Sequence, residues 1–493
     1  MKVAMSPTIS RALLWRQVKF FGSSGGLEMN RTRTSSATNV SRPERISLCG
    51  QSYPIDHSYN LSPKIIQLLS RRLHNQLYHP LWLIKSRIVD FFYKRPSHVK
   101  KWSSSPMFSV HDSLSPVVST EHNFDSLLVP PDHVSRRRTD TYYVNVSTVL
   151  RSHTSAHESD LISSGLDAFL VTGDVYRRDD IDALHYPAFH QLEGVRLFSR
   201  DELFRDAIDP SACLTLFEPG TASQRCVGLE IPPSSALPPD RQPWHSMETV
   251  LSLEFQLKSV LEELAVQLFG KDTPMRWVSA YFPFTHPSWE LEIQTGVRTG
   301  DSVDGWTEML GCGILRQEIL DKCGVTNKAA YAFGLGLERW AMKLYDIPDI
   351  RLFWSQDPGF LNQFKTSDIN KSITYKAISH FPPCPLDISF WLPCTLHPDA
   401  VTDTSDIGKT EAAPDKMLAF ERDLFELIRG VAGDLVEQVK LIDTFFDKKS
   451  SRTSLCYRVV YRDHHRTLTM DEVRPLHLKI GRLAESNLHV KVR

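Results

Sequence analysis

The stretch Gly173-Asp-Val-Tyr-Arg-Arg-Asp-Asp-Ile-Asp-Ala-Leu-His-Tyr-Pro-Ala-Phe-His-Gln-Leu-Glu193 decides the fold. Two strand-like arms flank a loop that is dense in charge and histidine. Arg177 has the planar guanidinium that binds phosphate oxygens in pairs, and Phe189 offers a ring on which a base can stack. By itself the stretch is more typical of a solvated charged hairpin. A second pattern is therefore needed to choose between the two interpretations.

The second pattern is Ala332-Phe-Gly-Leu-Gly-Leu-Glu-Arg339, a strand-like run that turns into a helix. Gly334 and Gly336 permit a tight turn and the close approach of a ligand. Arg339 then falls near the positive end of the helix dipole, an arrangement that suits a polyphosphate. Glycines are common at such junctions, so this stretch alone is weak support for a site.

A third stretch, Tyr281-Phe-Pro-Phe-Thr-His-Pro287, is an aromatic strand end. Without context, plain core packing is the better interpretation of these rings.

Together the three stretches resemble a known family. The Arg177 loop resembles motif 2 of the class II aminoacyl-tRNA synthetases, and the run that ends at Arg339 resembles motif 3. Four shorter segments resemble the phenylalanyl-tRNA synthetase family more narrowly, in the family's order: His153-Thr-Ser155, Phe189-His-Gln-Leu-Glu193, Phe282-Pro-Phe284 and Ala332-Phe-Gly334. The similarity runs from about residue 50 to the end, and it is to the single-chain organellar type.

The resemblance implies an α+β fold: an antiparallel class II sheet with flanking helices, then a C-terminal ferredoxin-like anticodon-binding domain. The residues support the C-terminal part directly. A helix face ends at Gly430, two strand-like runs follow, and Thr469 with Glu472 forms a capping box for a second helix. With Leu386–Trp391 as the first strand, the order is βαββαβ, the ferredoxin-like arrangement. We expect an N-terminal helical extension at 49–106, a catalytic domain at 107–365 and the ferredoxin-like domain at 379–493, with insertions at 295–304 and 396–415.

The resemblance also implies an ATP-dependent ligase that forms a phenylalanyl adenylate and transfers phenylalanine to the 3′-terminal ribose of tRNA(Phe). Arg177 and Arg339 would be the catalytic pair, on the α- and γ-phosphates, with Mg²⁺ held by Glu308. The remaining ATP contacts would be Asp179, His185 and Phe189. The phenylalanine site would be formed by eight residues: His153, Ser155, Gln191, Glu193, Phe282, Phe284, Ala332 and Gly334.

A basic cluster in the C-terminal domain is the candidate tRNA contact. Between residues 448 and 466 the single acid is Asp463, and the basic residues are Lys448, Lys449, Arg452, Arg458, Arg462 and Arg466. Phosphate neutralisation by such a cluster suits a single-stranded anticodon loop. A solubilising strand face is an equally good interpretation of the charges alone.

The first 48 residues contain eight Lys and Arg, two acids and twelve Ser and Thr. Such acid-poor, Arg- and Ser-rich beginnings are typical of transit peptides. We expect residues 1–48 to be such a leader and the protein to act in the mitochondrial matrix, although the composition allows a plastid or both. Since no apolar run reaches about 18 residues, we expect no membrane span. The eight cysteines lack zinc-binding spacing, and the single-chain type implies a monomer.

Two other functions compete with this one. A synthetase-like RNA-binding protein without catalysis would not need both phosphate arginines. A class II enzyme for another amino acid would need a different pocket from that of Phe282, Phe284 and Ala332.

Overall fold

The computed structural model describes residues 44–69, 71–95, 105–205, 214–218, 240–294, 305–377, 381–393, 413–447, 450, 452–463 and 465–493. Its strands are β1 (Arg45–Leu48), β2 (Gln51–Pro54), β3 (Ser109–His111), β4 (Val117–Ser119), β5 (Tyr143–Asn145), β6 (Thr148–Leu150), β7 (Ala168–Tyr176), β8 (Ala188–Phe198), β9 (Met275–Phe282), β10 (Thr285–Gln294), β11 (Trp306–Leu315), β12 (Ala329–Gly336), β13 (Cys384–Trp391), β14 (Val436–Asp447), β15 (Arg452–Tyr461) and β16 (Lys491–Val492).

The helices are α1 (Pro63–Leu68), α2 (Pro80–Lys94), α3 (Thr120–Asn123), α4 (Glu158–Ser163), α5 (Arg200–Leu203), α6 (Met247–Phe269), α7 (Gln317–Lys322), α8 (Leu337–Tyr345), α9 (Pro358–Leu361), α10 (Ala413–Ala432) and α11 (Met470–Leu488). Short 3-10 turns lie at Leu73–Asn75, Asp125–Leu127, Val134–Arg136, Thr154–His157, Ile350–Trp354, Asn362–Phe364 and Gly433–Leu435. None of these described helices is long and apolar enough to cross a membrane.

A seven-stranded sheet in the order β3-β7-β8-β12-β11-β10-β9 forms the centre of the larger domain. All neighbouring strands are antiparallel except the edge strand β3, which runs parallel to β7. The predicted antiparallel sheet with flanking helices is thus confirmed, with one parallel edge. Because β8 lies between β7 and β12, both strands of motif 2 and the strand of motif 3 are neighbours.

Both faces of this sheet are covered, so its central strands are apolar on both sides. All nine residues of β7 are buried. Alternate residues of a strand face opposite sides. Leu170 accordingly joins a large core with α2, α6 and α8, whereas Phe169 and Val171 join a smaller core with α3, α4 and α7. Ala332 of β12 packs on the smaller-core face, which places the predicted substrate pocket there.

The N-terminal segment packs onto the same large core. Pro80 is the first residue of α2, because a proline there sacrifices no helical hydrogen bond, and it follows the cap residue His79. Phe92 of α2 stacks on Phe333 of β12 at 5.5 Å between ring centres. Leu48, at the end of β1, is also buried in this core. The hairpin β1–β2 therefore belongs to the folded part, while residues 1–43 of the predicted leader lie outside the described residues.

The C-terminal domain is a four-stranded sheet in the order β14-β15-β13-β16. Along the chain, α10 follows β13 and α11 follows β15. This is the predicted βαββαβ fold, and the capping box of Thr469 and Glu472 is present. The predicted helix end at Gly430 is wrong: α10 continues to Ala432. The chain reverses at Gly433, whose φ of 58° lies in the left-handed region. The predicted insertion at 295–304 and most of 396–415 lie outside the described residues.

Helix α10 joins the two domains through polar contacts with the motif 2 region. Arg178 donates to Asp423 at 2.8 Å, and Arg429 donates to the backbone oxygens of Asp179 and Asp180. Immediately after α10, Asp434 accepts from Lys64 and from the Tyr186 hydroxyl, each at 2.7 Å. A cavity at this junction is lined by Lys64, Ile181, Asp182, His185, Tyr186, Pro187, Arg351, Arg429, Gly433, Asp434 and Val436.

Candidate active site

Arg177 directly follows β7 and is held in a fixed orientation. Its Nε donates to the Ser152 carbonyl at 2.7 Å, and its guanidinium lies 5.2 Å from the ring centre of Phe189. Burial lowers the pKa of Arg177 from its ordinary value, which still leaves the side chain charged at neutral pH. The structure therefore brings together the predicted phosphate and adenine contacts of motif 2.

A fully buried polar network lies directly before Arg177 in β7. Arg151 bonds Asp174 through both its backbone oxygen, at 2.8 Å, and its carboxylate, at 3.1 Å. The Tyr176 hydroxyl donates to the same carboxylate at 2.5 Å, and the Arg151 carbonyl accepts from the Tyr176 amide. A Cβ on Gly173 would lie 1.8 Å from Nη2 of Arg151. This network ties the end of β6 to the end of β7 and was not predicted from the sequence.

Arg339 lies in the first turn of α8 and points towards β11. Its Nη1 donates to the Glu308 carbonyl at 2.8 Å and lies 3.3 Å from the Glu308 carboxylate. After burial, the charges of Asp179, Glu308 and Arg339 act on the pKa of Arg177, so all three side chains lie near its guanidinium. The predicted pair of phosphate arginines is thus close together in the structure.

The predicted ammonium and carboxylate contacts also meet. Ser155 Oγ and Thr154 Oγ1 donate to Glu193 Oε2 at 2.5 and 3.0 Å. The amide of Thr154 donates to Gln191 Oε1 at 3.2 Å. Burial, followed by the charge of Arg177, lowers the pKa of His153 to about 3, so this ring is neutral at physiological pH. Thr154 was not predicted as a site residue.

Two aromatic rings close one side of this pocket. Phe282 and Phe284 stack with ring centres 5.9 Å apart, and the His153 ring lies 6.1 Å from Phe284. A Cβ on Gly311 would lie 2.7 Å from Phe282, so this position needs a glycine for the ring to fit. The smaller-core face also contains Ala332, one of the two residues predicted to form the pocket floor.

Glu158, which the sequence did not single out, lies beside Glu193. Both side chains are almost fully buried, with exposed fractions of 0 % and 2 %. Burial, followed by the charge of Glu193, raises the pKa of Glu158 well above its ordinary value. The segment His157-Glu-Ser-Asp160 has the polarity of an exposed turn, so its composition contains no signal of this burial.

Glu290 lies beside Glu308 on the neighbouring strand β10. Burial, followed by the charges of Glu308 and Glu292, raises the pKa of Glu290 to about 7. Two carboxylates that repel each other next to Arg339 suit a hard cation with oxygen ligands. Among the described residues, no cluster of three or more potential metal ligands is present.

Asp179 and His185 lie at the domain junction in this structure. The Asp179 carboxylate is 3.5 Å from Arg422 of α10. His185 Nδ1 lies 2.8 Å from the Asp182 carboxylate, and the ring lines the cavity next to Arg429. Their predicted contacts with ATP remain predictions.

The described members of the predicted basic tRNA cluster are spread along β15 and beyond it, and three of them pair with acids. Arg452 and Arg462 stand at opposite ends of β15, a strand whose ten residues extend roughly 30 Å. Arg458 forms a two-pronged ion pair with Asp387, and Arg466 pairs with Glu472 at 2.6 Å. Arg462 lies 3.1 Å from Glu437. Lys448 and Lys449 lie outside the described residues.

Comparisons with known proteins agree with this geometry. The model of the tRNA synthetase class II core domain (F) matches residues 67–206 and 245–364, and that of the ferredoxin-fold anticodon-binding domain matches 415–493. A mitochondrial phenylalanine–tRNA ligase of Mus musculus is 47% identical over 448 residues, which cover 91% of this chain and 89% of the relative. This chain belongs to the phenylalanine–tRNA ligase family of class II tRNA synthetases.

Other relatives extend the comparison. A probable mitochondrial phenylalanine–tRNA ligase of Drosophila melanogaster is 44% identical, covering 93% of this chain and 94% of the relative. A chloroplastic/mitochondrial phenylalanine–tRNA ligase of Arabidopsis thaliana is 41% identical, covering 89% and 83%. The similarity therefore spans both domains of the chain.

Proposed function

We propose that this chain is a mitochondrial phenylalanine–tRNA ligase. It activates phenylalanine with ATP to the adenylate and transfers the amino acid to the 3′-terminal ribose of tRNA(Phe). The observation that carries the proposal is the shared site of Arg177, Arg339 and Glu308, which adjoins the polar pocket of Gln191 and Glu193. A catalytically inactive RNA-binding protein would have no use for two partly buried cationic groups beside such a pocket.

The two arginines act by positioning and charge neutralisation. Arg177 holds the α-phosphate, where the phenylalanine carboxylate attacks, and Arg339 holds the γ-phosphate of the leaving pyrophosphate. The adenine stacks between Phe189 and Arg339. Charges placed in advance on the phosphate oxygens stabilise the transition state without reorganisation, so no side-chain nucleophile is needed.

The amino acid lies on the smaller-core face of the sheet. Glu193 and Ser155 bind the ammonium, and Gln191 with the neutral His153 binds the carboxylate side. Phe282 and Phe284 pack against the substrate ring, a contact worth about 0.5–1.5 kcal/mol beyond the area it buries. Ala332 and Gly334 leave the pocket floor free of bulk.

The family implies Mg²⁺, and the residues present fit it. Glu290 and Glu308 would hold the ion, because their mutual repulsion is relieved by a divalent cation. Bound Mg²⁺ would share the negative charge of the ATP phosphates.

We further propose that the chain works as a monomer and contacts tRNA through the sheet of its C-terminal domain. Phe390 and Leu455 face the helices, so Trp391 and Ser454 face the opposite side. On that side Arg493 lies 5.4 Å from the Trp391 ring and 5.2 Å from Phe445. Aromatic and arginine side chains on a four-stranded sheet form a platform for unstacked bases.

The function is tested by phenylalanine-dependent exchange of pyrophosphate into ATP, with the other amino acids as controls. We expect exchange with phenylalanine in the chain that begins at Glu44. It should fall at least a hundredfold in Arg177→Ala, as for loss of one transition-state contact of this kind. Arg200→Ala removes an exposed arginine of α5 and serves as the matched control. Folded protein without exchange for any amino acid would overturn the proposal.

A further inference from the structure

Glu158 and Glu193 form a buried pair of carboxyl groups with too few hydrogen-bond donors. Among the described residues, no N–H or O–H group of another side chain or of the backbone donates to either oxygen of Glu158 or to Glu193 Oε1. The two carboxyl groups lie within hydrogen-bonding reach of each other. Only Glu193 Oε2 is satisfied, by Thr154 and Ser155. Three buried acceptor atoms without donors destabilise the folded protein unless a proton or a cation binds between them.

The groups that surround the pair supply no such cation. Arg151, which follows β6, lowers the pKa of Glu193 through its charge, but its guanidinium already bonds Asp174 and His157. From the end of α7, Cys323 donates its thiol towards the Ser159 carbonyl at 3.6 Å. His157, on the turn before Glu158, is neutral because burial lowers its pKa to about 3. In the described part of the chain, no ion pair reaches either Glu158 or Glu193.

Two buried carboxyl groups in contact do not both ionise at neutral pH. Burial raises the pKa of both groups, and the charge of Glu193 raises that of Glu158 further. The hydrogen bond with Glu158, and after it the hydroxyls of Ser155 and Thr154, oppose this rise in the pKa of Glu193, because they stabilise its ionised form. The pair therefore titrates as one unit, with its proton mainly on the Glu158 side.

We propose that Glu158 and Glu193 share one proton in the empty pocket and that the ammonium group of phenylalanine displaces it. This inference rests on the proposed function. The O–H bond of the carboxyl group breaks and its proton goes to the buffer, while the arriving ammonium supplies the replacing positive charge. The charge of the pocket is unchanged, and both carboxylates then accept hydrogen bonds from the substrate. Glu158 is thus a second receptor for the ammonium and makes phenylalanine binding proton-linked.

Calorimetric titration of L-phenylalanine without ATP tests this directly. At pH 7.0 the substrate's amino group arrives protonated, since amino groups of this kind ordinarily titrate near 8 or above. Parallel titrations in phosphate and Tris buffers, which differ in ionisation enthalpy, report the number of protons exchanged. We expect close to one proton released per phenylalanine bound. Phenylalaninol, which keeps the ammonium, should release it too, whereas 3-phenylpropionate, which lacks the ammonium, should not.

The matched variant is Glu158→Gln, which keeps the shape of the side chain and cannot hold the shared proton. We expect it to bind phenylalanine with almost no proton release. Binding without proton release in the unaltered protein, or equal release in Glu158→Gln, would overturn the inference but leave the proposed function intact. Absence of any phenylalanine binding would overturn both. The measurement on the unaltered protein decides the matter even if the variant does not fold.

Discussion

Two glycines of β12 have opposite surroundings although they are two residues apart. A Cβ on Gly334 would lie 2.7 Å from Nε2 of Gln191, whereas nothing lies within 4 Å of a Cβ on Gly336. Both side chains would point to the same face of the strand, because alternate residues do so. Gly334 therefore leaves room for the Gln191 amide, and Gly336 faces open space.

We predict that Gly334→Ala raises the KM for phenylalanine about tenfold, because the displaced amide loses one hydrogen bond to the substrate. Gly430→Ala, at an exposed position of α10 where nothing lies within 4 Å of an added Cβ, should leave this KM unchanged and is the control. Pyrophosphate exchange at varied phenylalanine concentration measures both. Equal KM values in the two variants would contradict the role given to Gln191.

For single residues, the sequence predicted those that belong to a motif. It missed those whose environment is formed by residues far away in the chain. Gln191 and Glu193 were predictable because their motif is local. The burial of Glu158 arises from β8, which is more than 30 residues away in the chain and is unrelated to the composition around Glu158. The Arg151–Asp174 pair was missed for the same reason.

Among the elements, α2 shows how one side chain can both begin a helix and tether it. His79 Nδ1 accepts from the Leu81 amide at 3.2 Å, and its Nε2 lies 2.9 Å from the Phe353 carbonyl. Burial lowers the pKa of His79 to about 3. In the unfolded chain the ring titrates near 6.5, so its stabilising effect is complete above that pH and is lost as the pH falls towards 3.

We predict that, as the pH is lowered, the free energy of unfolding of His79→Asn falls less steeply than that of the unaltered protein. Asn keeps a capping side chain but cannot take up the proton. When the pH is lowered from 7.5 to 5.5, the unaltered protein should lose about 1.4 kcal/mol more free energy of unfolding than the variant, the contribution of one such histidine. Urea denaturation at both pH values measures it. His57→Asn, at an exposed histidine, is the control and should show the slope of the unaltered protein.

The types and order of the elements were predictable, but their ends were less so. Gly430 and Gly433 both fit the stop signal of α10, and only the backbone of the folded chain selects Gly433. Proline is a helix breaker in a helix interior, yet Pro80 begins α2. Periodicity sets the type of an element, whereas its last turn depends on tertiary contacts.

On the scale of the whole molecule, the chain has to bind one tRNA with two domains. In the function that we propose, the acceptor end meets Arg177 and Glu193 in the larger domain, and the anticodon meets the sheet of the smaller one. Both domains were predictable from the sequence. Their junction was not, because Arg178, Arg422 and Arg429 have the composition of ordinary surface or phosphate-binding arginines, and only the fold shows them bonded across the domains.

We predict that Trp391→Ala and Phe445→Ala each raise the KM for tRNA(Phe) about tenfold in aminoacylation, because each removes one stacking surface. Pyrophosphate exchange, which does not involve tRNA, should be unchanged. Phe255→Ala removes an aromatic side chain that is 73 % exposed on α6 and is the control. Unaltered aminoacylation by both sheet variants would remove the sheet face from the tRNA contact.

Asp434 contacts three regions of the chain at once. Its carboxylate binds Lys64 of the N-terminal segment and Tyr186 of the motif 2 loop, and its carbonyl accepts from Arg351 at 2.9 Å. To a geneticist, a missense change in this codon would therefore resemble lesions mapped to any of the three regions. Suppressor mutations of such an allele would lie in separate parts of the gene, although all of them would restore the contacts around residue 434.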